Sequence, residues 1–248
     1  MKLAYLKDFW DKYNLKTGIE INPLLNPSLL ITGESGSGKS YGLKYNIYTL
    51  IDSEIQRGRK VDFWFMNYKD SRDFRFLKPY ERYYCCEACK EGVEAFYNHY
   101  QEIRKNEGEG IDHMTIMVFD EYPAYILQLQ MEEKKRAEAH MRKISEILMT
   151  ARSYKTGCWI ACQRSDSAYF ANGSREQFHI RILLTRGLPS KESLSMMGFV
   201  RENFKSEIYH AGEGIAFVDG QGLYEIKYPM YDTEKINKRI LEGLACAQ

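Results

Sequence analysis

The chain has 248 residues, 44% of them hydrophobic and 28% charged, which is the composition of an ordinary soluble globular protein. Its formal net charge of +1 argues neither for nor against a nucleic-acid partner, because a basic patch can lie within a balanced total. No apolar run is long enough to span a bilayer, and the charges at Lys2, Lys7 and Asp8 exclude a signal peptide, so we expect a cytoplasmic protein without a membrane span.

Strands and helices are predicted to alternate along most of the chain. Residues 1–27 form a polar, aromatic lead-in that ends in prolines, and residues 28–248 are expected to form a single domain. Apolar runs and helical spacing predict strands at 29–31, 61–66, 115–119, 158–162, 180–185, 214–218 and 222–228, and helices at 41–56, 91–105, 132–154 and 232–245. The pattern predicts an α/β fold with a mostly parallel sheet, helices on both faces, and a C-terminal β-hairpin and helix. Gly157 is expected to end the long third helix, and Asp232 or Thr233 to cap the last one.

A phosphate-binding loop lies between the first predicted strand and the first helix. Residues 33–40 match the pattern G-x-x-x-x-G-K-[ST], in which glycines let successive backbone N–H groups surround an anion at a helix N-terminus. Lys39 is predicted to reach the β- and γ-phosphates, and Ser40 to bind Mg²⁺. The flanking strand and helix argue against a chance Gly/Ser turn. The predicted nucleotide-binding residues are Gly33, Glu34, Ser35, Gly36, Ser37, Gly38, Lys39, Ser40 and Tyr41.

Two carboxylates follow the apolar run Ile116–Phe119. Asp120 and Glu121 would emerge at the carboxyl end of a buried strand, where open α/β sheets place their ligands. Asp120 is predicted to hold Mg²⁺ alongside Ser40, and Glu121 to act as the general base for an attacking water. The alternative is a solvated turn at the end of the strand. An adjacent Asp-Glu pair, without an N-K-x-D motif, favours ATP over a guanine nucleotide.

A polar amide, Gln163, ends the next buried strand. If that strand lies beside the strand of Asp120, Gln163 would hydrogen-bond the γ-phosphate or the attacking water; the alternative is a glutamine in solvent. The three cysteines Cys85, Cys86 and Cys89 resemble half of a zinc site. Because no second half follows, reduced structural thiols are the favoured interpretation.

From about residue 29 to residue 228 the chain resembles the FtsK/HerA superfamily of hexameric DNA-translocating ATPases, which includes the motor domains of conjugative coupling proteins. The resemblance lies in G-E-S-G-S-G-K-S (33–40), M-N-Y-K-D (66–70), I-M-V-F-D-E (116–121), A-R-S-Y-K-T-G-C-W-I-A-C-Q-R-S-D-S (151–167), A-N-G-S-R-E-Q-F-H-I-R-I (171–182), K-E-S-L-S-M-M-G (191–198) and A-G-E-G-I-A-F-V (211–218). The block at 151–167 is the most family-specific. It departs from the family pattern A-T-Q-R-P at Cys162 and Ser165, and Asn67 replaces an Asp.

The resemblance implies a RecA-like P-loop ATPase that acts as a homo-hexameric ring and couples hydrolysis of ATP, with Mg²⁺, to movement of DNA. It also implies that Arg152 reaches the ATP site of a neighbouring subunit, where a guanidinium is worth about 10³–10⁵ in rate. The alternative is an arginine that interacts with the dipole at the end of its helix. Arg164, Arg181 and Arg186 are the other candidates.

The expected function is therefore that of a DNA translocase serving a mobile genetic element in conjugation or DNA transfer. Contacts to DNA would be non-specific phosphate contacts, made near Arg72 and Arg75 or by residues 168–175. A relaxase or a membrane-anchored protein is a possible partner. The rivals are a packaging or secretion ATPase of the same fold, and a nucleotide-gated adaptor that binds ATP and hydrolyses it poorly.

Overall fold

A computed structural model describes residues 1–106, 113–206 and 208–245. The strands are β1 (Lys2–Leu6), β2 (Gly18–Glu20), β3 (Leu29–Thr32), β4 (Val61–Asn67), β5 (Tyr83–Cys85), β6 (Met114–Asp120), β7 (Thr156–Cys162), β8 (Ile180–Leu184), β9 (Glu213–Val218) and β10 (Gly222–Lys227). The α-helices are α1 (Lys7–Tyr13), α2 (Lys39–Ile55), α3 (Cys89–Lys105), α4 (Tyr122–Glu132), α5 (Lys134–Thr150), α6 (Lys191–Met197) and α7 (Thr233–Ala245). Short 3₁₀ segments lie at Arg72–Leu77, Cys86–Ala88, Ala151–Tyr154, Ser167–Tyr169, Ala171–Gln177 and Arg201–Asn203.

In the described residues, the strands form one sheet in the order β2-β1-β10-β9-β8-β3-β7-β6-β4-β5. The six strands from β8 to β5 are parallel to one another, and β9, β10, β1 and β2 extend the sheet with antiparallel pairs. The predicted α/β class, with a mostly parallel sheet followed by a C-terminal hairpin and helix, is confirmed. The predicted cap of the last helix is also confirmed, since Asp232 Oδ1 accepts hydrogen bonds from the backbone N–H groups of Glu234 and Lys235.

Helices cover both faces of the sheet because alternate strand residues point to opposite sides. In β6, Ile116 and Val118 pack in a core with residues of α2 and α7, whereas Met117 and Phe119 pack in a second core with residues of α3, α4 and α5. Strands buried on both faces read as continuous apolar runs, which is why β3, β4, β6 and β7 were evident in the sequence.

The first 27 residues, which the sequence analysis treats as a lead-in, contribute two strands and a helix. β1 pairs with β10, where Tyr5 lies opposite Lys227, and β2 pairs with β1 at the edge of the sheet. The pairing partner of β1 lies more than 200 residues away, so no local pattern in the sequence indicated it. The division of the chain into domains stays a prediction.

The helix predicted at 132–154 is present in the structure as α5, but with different ends. α5 begins after Glu133, whose backbone leaves the helical region (φ −143°, ψ 74°) and separates α5 from α4, a helix that the sequence did not predict. A 3₁₀ turn follows α5, and Lys155 ends it in the left-handed conformation (φ 52°). Gly157, predicted as the helix stop, instead lies inside β7.

The reason for a glycine at position 157 is a close approach of two backbone segments. A Cβ atom there would lie 2.1 Å from the carbonyl oxygen of Pro27. The same contact region includes the indole of Trp159, whose Nε1–H donates to that oxygen at 3.0 Å. Glycine thus allows the start of β7 to pack against the segment that leads into β3.

We expect Gly157→Ala to lower the free energy of unfolding by about 1–3 kcal/mol, because the added methyl group meets backbone that cannot move aside. Urea denaturation measures the change. Gly18→Ala is the matched control, since its Cβ would meet the flexible end of the Lys2 side chain. Equal stability losses in the two variants would contradict this explanation of Gly157.

Candidate active site

The strand order places the carboxyl ends of four neighbouring parallel strands at one edge of the sheet. β3 lies between β7 and β8, with Thr32 opposite Cys162 and Leu183, and β7 in turn lies beside β6, with Ala161 opposite Asp120. The phosphate-binding loop therefore leaves β3 between residues that leave β7 and β8. Loops at the carboxyl ends of such strands form the ligand sites of open α/β sheets.

Close backbone contacts define the conformation of the phosphate-binding loop. Gly38 is left-handed (φ 96°), and a Cβ atom on it would lie 2.9 Å from the backbone nitrogen of Gly212. The N–H of Gly212 donates to the carbonyl oxygen of Ser37 at 2.9 Å, so the start of β9 supports the loop from behind. The Ser37 hydroxyl is buried without a hydrogen-bond partner among the described residues. A cradle with an unpartnered polar group fits an anionic ligand.

Lys39, the first residue of α2, is only 8% exposed. Its ammonium donates to the carbonyl oxygens of Gly33, at 2.8 Å, and Glu34, at 3.1 Å. Burial lowers the pKa of Lys39, and the negative charges of Glu121 and Asp120 partly oppose that shift. The cation is thus positioned inside the loop, where it is paired with carbonyl oxygens rather than with a full negative charge.

Asp120, the last residue of β6, is 5% exposed, and its Oδ2 accepts a hydrogen bond from Ser71 Oγ at 3.1 Å. Burial, together with the neighbouring charge of Glu121, raises the pKa of Asp120 to about 6. The carboxyl group is therefore ionised at neutral pH, but at a cost in free energy that a bound cation would offset.

Glu121 adopts a left-handed backbone conformation (φ 63°, ψ 41°), which is uncommon for a residue with a side chain. Its N–H donates to the carbonyl oxygen of Ala161 at 2.8 Å, which turns the chain from β6 into α4. Its Oε2 lies 2.9 Å from Nζ of Lys69, a residue that follows β4. Sequence analysis missed this ion pair, although Lys69 lies in the quoted M-N-Y-K-D motif.

Gln163 and Arg152 lie at opposite ends of β7. Gln163 follows the carboxyl end, next to the phosphate-binding loop, and with Thr32 and Arg164 it lines a small cavity of about 130 Å³. Arg152 is exposed in the 3₁₀ turn before the amino end. The pKa of His179, the residue before β8, is lowered by burial and further by the charge of Arg152. The structure therefore groups Gln163 with the loop and separates Arg152 from it.

Ser40 and Tyr41 lie in the first turn of α2. The ring of Tyr41 stacks on Tyr231 with 3.8 Å between centroids, and its hydroxyl accepts from the N–H of Tyr231 at 2.6 Å and donates to the carbonyl oxygen of Pro229 at 3.0 Å. Sequence analysis did not predict that residues 229–231 border the site. Aromatic residues do follow β10 in the sequence, but no sequence pattern connects them with Tyr41.

The described part of the chain has no cluster of three or more His, Cys, Asp or Glu side chains arranged to hold a metal ion. Cys85, Cys86 and Cys89 therefore do not form such a cluster. The oxygens of Ser40 and Asp120 suit Mg²⁺, which prefers hard ligands and is commonly completed by phosphate oxygens and water. These residues fit a Mg²⁺ ion that arrives with a nucleotide. Among the described helices, none is both long and apolar enough to cross a membrane.

Comparison with known proteins was made for the sequence and for the fold. No family model matches the chain. The FtsK domain-containing protein YdcQ of Bacillus subtilis (strain 168) is 26% identical over 239 residues, which cover 90% of this chain and 48% of YdcQ. The chain thus spans about half the length of this curated relative.

Solved structures share the fold at low sequence identity. The conjugation coupling protein TcpA of pCW3, in monomer form with ATPγS, has a TM-score of 0.71 and 18% identity, covering 97% of this chain and 73% of its own. EssC (ATPases 2 and 3) from Geobacillus thermodenitrificans has a TM-score of 0.68 and 10% identity, covering 100% and 49%. VirB4 of Thermoanaerobacter pseudethanolicus has a TM-score of 0.58 and 10% identity, covering 95% and 98%. The predicted RecA-like P-loop fold and the resemblance to FtsK/HerA-type ATPases are confirmed.

The raised pKa of Asp120 predicts how the ligand-free protein responds to pH. The folded state binds the proton more tightly than the unfolded state, so ionisation of Asp120 destabilises the fold as pH rises from about 4 through 6. We expect Asp120→Asn to raise the free energy of unfolding by about 1–3 kcal/mol at pH 7, and the gain to vanish near pH 4.

Thermal or urea unfolding in EDTA, measured from pH 4 to pH 7.5, checks this prediction. Asp219→Asn, in the exposed turn between β9 and β10, is the matched control and should show no comparable gain. A gain that is independent of pH would show that the charge of Asp120 is not its cause.

Proposed function

We propose that this chain is the motor domain of an ATP-hydrolysing DNA translocase of the FtsK/HerA type that serves a mobile genetic element. The observation that carries the proposal is the meeting, at one sheet edge, of the phosphate-binding loop, the buried Asp120, Glu121 and Gln163. The similarity to TcpA, a conjugation coupling protein solved with ATPγS, supports this proposal, as does the FtsK domain named in YdcQ.

Residues 33–41 would bind the triphosphate of ATP. The ammonium of Lys39 would exchange the carbonyl oxygens of Gly33 and Glu34 for the β- and γ-phosphates, which carry full negative charge. The Ser37 hydroxyl, unpartnered among the described residues, points to the same demand for an acceptor or anion. Because the loop is already formed, binding requires little ordering of the backbone.

Ser40 and Asp120 would hold Mg²⁺. The ion, when bound, supplies positive charge that offsets the charge developing on the phosphate oxygens. Asp120 is suited to this task because its carboxylate is desolvated and, within residues 1–106, 113–206 and 208–245, accepts a hydrogen bond from the Ser71 hydroxyl and from no ammonium or guanidinium group. The charge of Lys39 opposes the raised pKa of Asp120 only in part.

Glu121 would accept a proton from the attacking water, and Gln163 would orient that water. Glu121 is the first residue after β6. Its carboxylate would be positioned by the ion pair with the ammonium of Lys69. Since the left-handed backbone of Glu121 is fixed by its hydrogen bond to Ala161, the side chain starts from a defined point beside the loop. These contacts support a positioning role for Lys69 in the proposed reaction.

DNA contacts would come from the segment that follows β4. Arg72 and Arg75 are exposed there, and Arg75 pairs with Asp70 at 2.8 Å. The other candidate, residues 168–175, is less suited because Phe170 is buried and packs against Tyr122 and Phe178. Such phosphate contacts would be non-specific and sensitive to salt.

A secretion ATPase is the second candidate, because the TM-score to the cytoplasmic domain of the Thermomonospora curvata type VII secretion ATPase EccC, 0.65, is close to that to TcpA, 0.71. The fold therefore does not distinguish a motor for DNA from a motor for another polymer. The translocase, the secretion ATPase and the nucleotide-gated adaptor differ in what stimulates their hydrolysis of ATP. DNA should accelerate only the translocase.

We expect the purified protein to hydrolyse ATP and double-stranded or single-stranded DNA to raise the rate several-fold, with the increase disappearing at high salt. Phosphate release measures the rate. Glu121→Gln should bind ATP with near-normal affinity yet hydrolyse it at least about 10²-fold more slowly, because the amide keeps the shape and loses the base.

Hydrolysis that DNA does not change would overturn the translocase proposal in favour of the secretion ATPase. Tight ATP binding with negligible turnover under all conditions would favour the adaptor. Near-normal hydrolysis by Glu121→Gln would remove Glu121 from its proposed role.

A homo-hexameric ring with Arg152 acting in trans gives a further prediction. Arg152→Ala should bind ATP normally and hydrolyse it slowly, and mixing it with Lys39→Ala protein should restore part of the activity. The restored pockets would belong to Arg152→Ala subunits that receive an arginine from a Lys39→Ala neighbour. Turnover per subunit should also rise with protein concentration as rings assemble.

Activity of the mixture at each ratio, compared with the sum of the separate variants, measures the effect. The absence of both restoration and concentration dependence would assign Arg152 to the end of its helix alone.

A further inference from the structure

We propose that Arg186 is a second arginine of the nucleotide site, which binds the phosphates of ATP in its own subunit, and that Glu34 pairs with it when no nucleotide is bound. The inference rests on the proposed ATPase function and adds a residue to it. The sequence analysis included Arg186 only among candidates for an arginine acting in trans. Its contacts point instead to the loop of the same chain.

The guanidinium of Arg186 lies directly against the phosphate-binding loop. A Cβ atom built on Gly36 would be 3.5 Å from its Cζ and 3.6 Å from its Nη1. Nη2 donates to the carbonyl oxygen of Ser35 at 3.4 Å, and Nε lies 3.6 Å from the Glu34 carboxylate. The side chain therefore contacts three successive residues of the loop that would surround the triphosphate.

Hydrogen bonds of neighbouring residues hold the backbone of Arg186 in place, while its side chain is exposed. The neighbouring Thr185 and Gly187 are hydrogen-bonded to the backbone of residues 209–213, the segment that also supports the loop through Gly212. The N–H of Arg186 donates to Glu34 Oε1 at 3.2 Å. Because β8 lies beside β3, a residue just beyond β8 reaches the loop in its own subunit without a neighbour.

The pairing with Glu34 is weak enough to be exchanged. The side chains of Arg186 and Glu34 are 58% and 53% exposed, and such surface ion pairs contribute only about 0–1 kcal/mol. A phosphate group accepts charge-assisted and often bidentate hydrogen bonds from a guanidinium, which are stronger. The triphosphate would thus displace Glu34 from Arg186, just as it would displace the loop carbonyls from Lys39.

In the proposed hydrolysis, water attacks the γ-phosphorus, the bond between that phosphorus and the β–γ bridging oxygen breaks, and Glu121 accepts the proton of the water. ADP and inorganic phosphate leave. Arg186 transfers no proton. It supplies positive charge for the oxygens on which negative charge accumulates, so it would be a catalytic residue in the strict sense.

We expect Arg186→Ala to lower the hydrolysis rate at saturating ATP by about 10²-fold or more and to weaken ATPγS binding more than ADP binding. Arg186→Lys should recover only part of the rate because an ammonium cannot form the bidentate contact. Arg142→Ala, which removes an exposed arginine from α5, is the matched control and should leave both properties unchanged. Unchanged hydrolysis and binding in Arg186→Ala would overturn the inference.

A mixing experiment separates action within a subunit from action in trans. Arg186→Ala mixed with Lys39→Ala should show no restored activity, because every pocket in a mixed ring lacks either its own Lys39 or its own Arg186. Restoration in this mixture would place Arg186 in the neighbour's site and would overturn the inference.

The role of Glu34 is tested by binding alone, so the test holds even if the proposed hydrolysis fails. Glu34→Gln should strengthen ATPγS binding more in the wild-type background than in the Arg186→Ala background. Only in the wild-type background does the substitution free Arg186 from its ion pair with Glu34. Equal effects in the two backgrounds would show that Glu34 acts through its charge and does not hold Arg186. If DNA does not stimulate hydrolysis by the wild-type protein but this difference in ATPγS binding is observed, the proposed function is overturned and the role of Arg186 in nucleotide binding is supported.

Discussion

The site depends on a set of desolvated charges that the protein pairs only in part. Burial lowers the pKa of Lys39 and raises that of Asp120, so each group bears a cost in its charged form. Their opposite charges reduce this cost without removing it. A ligand that brings negative phosphates to Lys39 and a divalent cation to Asp120 would relieve both penalties at once. The arrangement therefore favours a ligand that carries both phosphate groups and a divalent cation.

The strand order determines which arginine residues lie near the phosphate-binding loop of the same chain. Because β3 lies between β7 and β8, one flank of the loop faces Gln163 and the other faces Arg186. Arg152 precedes β7, and the length of that strand separates it from the loop of its own subunit. In the proposed ring, a neighbouring subunit would have to bring Arg152 to the nucleotide, whereas the role proposed for Arg186 needs no neighbour. In this proposal Arg186 would respond to nucleotide binding and Arg152 to assembly of the ring. ATP could therefore bind before a neighbouring subunit completes the site.

The sequence predicted the parts of this site that a local pattern encodes. The loop at 33–40 and the carboxylates after Phe119 are set by a few adjacent residues, and continuous apolar runs predicted the central strands. The helix α4 was not predicted, although its buried residues Tyr122, Tyr125, Ile126 and Leu129 follow helical spacing. Contacts such as Lys69 with Glu121 or Arg186 with Glu34 join residues 52 and 152 positions apart, and β1 pairs with β10. No periodicity carries such information, since it arises only when the sheet brings the loops together.

The segment after β4 links the two carboxylates to the surface. Lys69 pairs with Glu121, Ser71 donates to Asp120, and the exposed Arg72 and Arg75 follow within the same short stretch of chain. A phosphate backbone bound to these arginines would pull on a segment whose other contacts are to the proposed base and metal ligand. Conversely, a nucleotide that changed the contacts of Asp120 would shift the segment that carries the arginines. Coupling between sites requires an element whose position both ligands bias, and in the proposed function this segment would be that element. In a motor with this fold, the segment after β4 would connect the nucleotide site directly to bound DNA. Lys69 and Ser71 contact the two carboxylates of that site, and the next arginines along the chain are exposed.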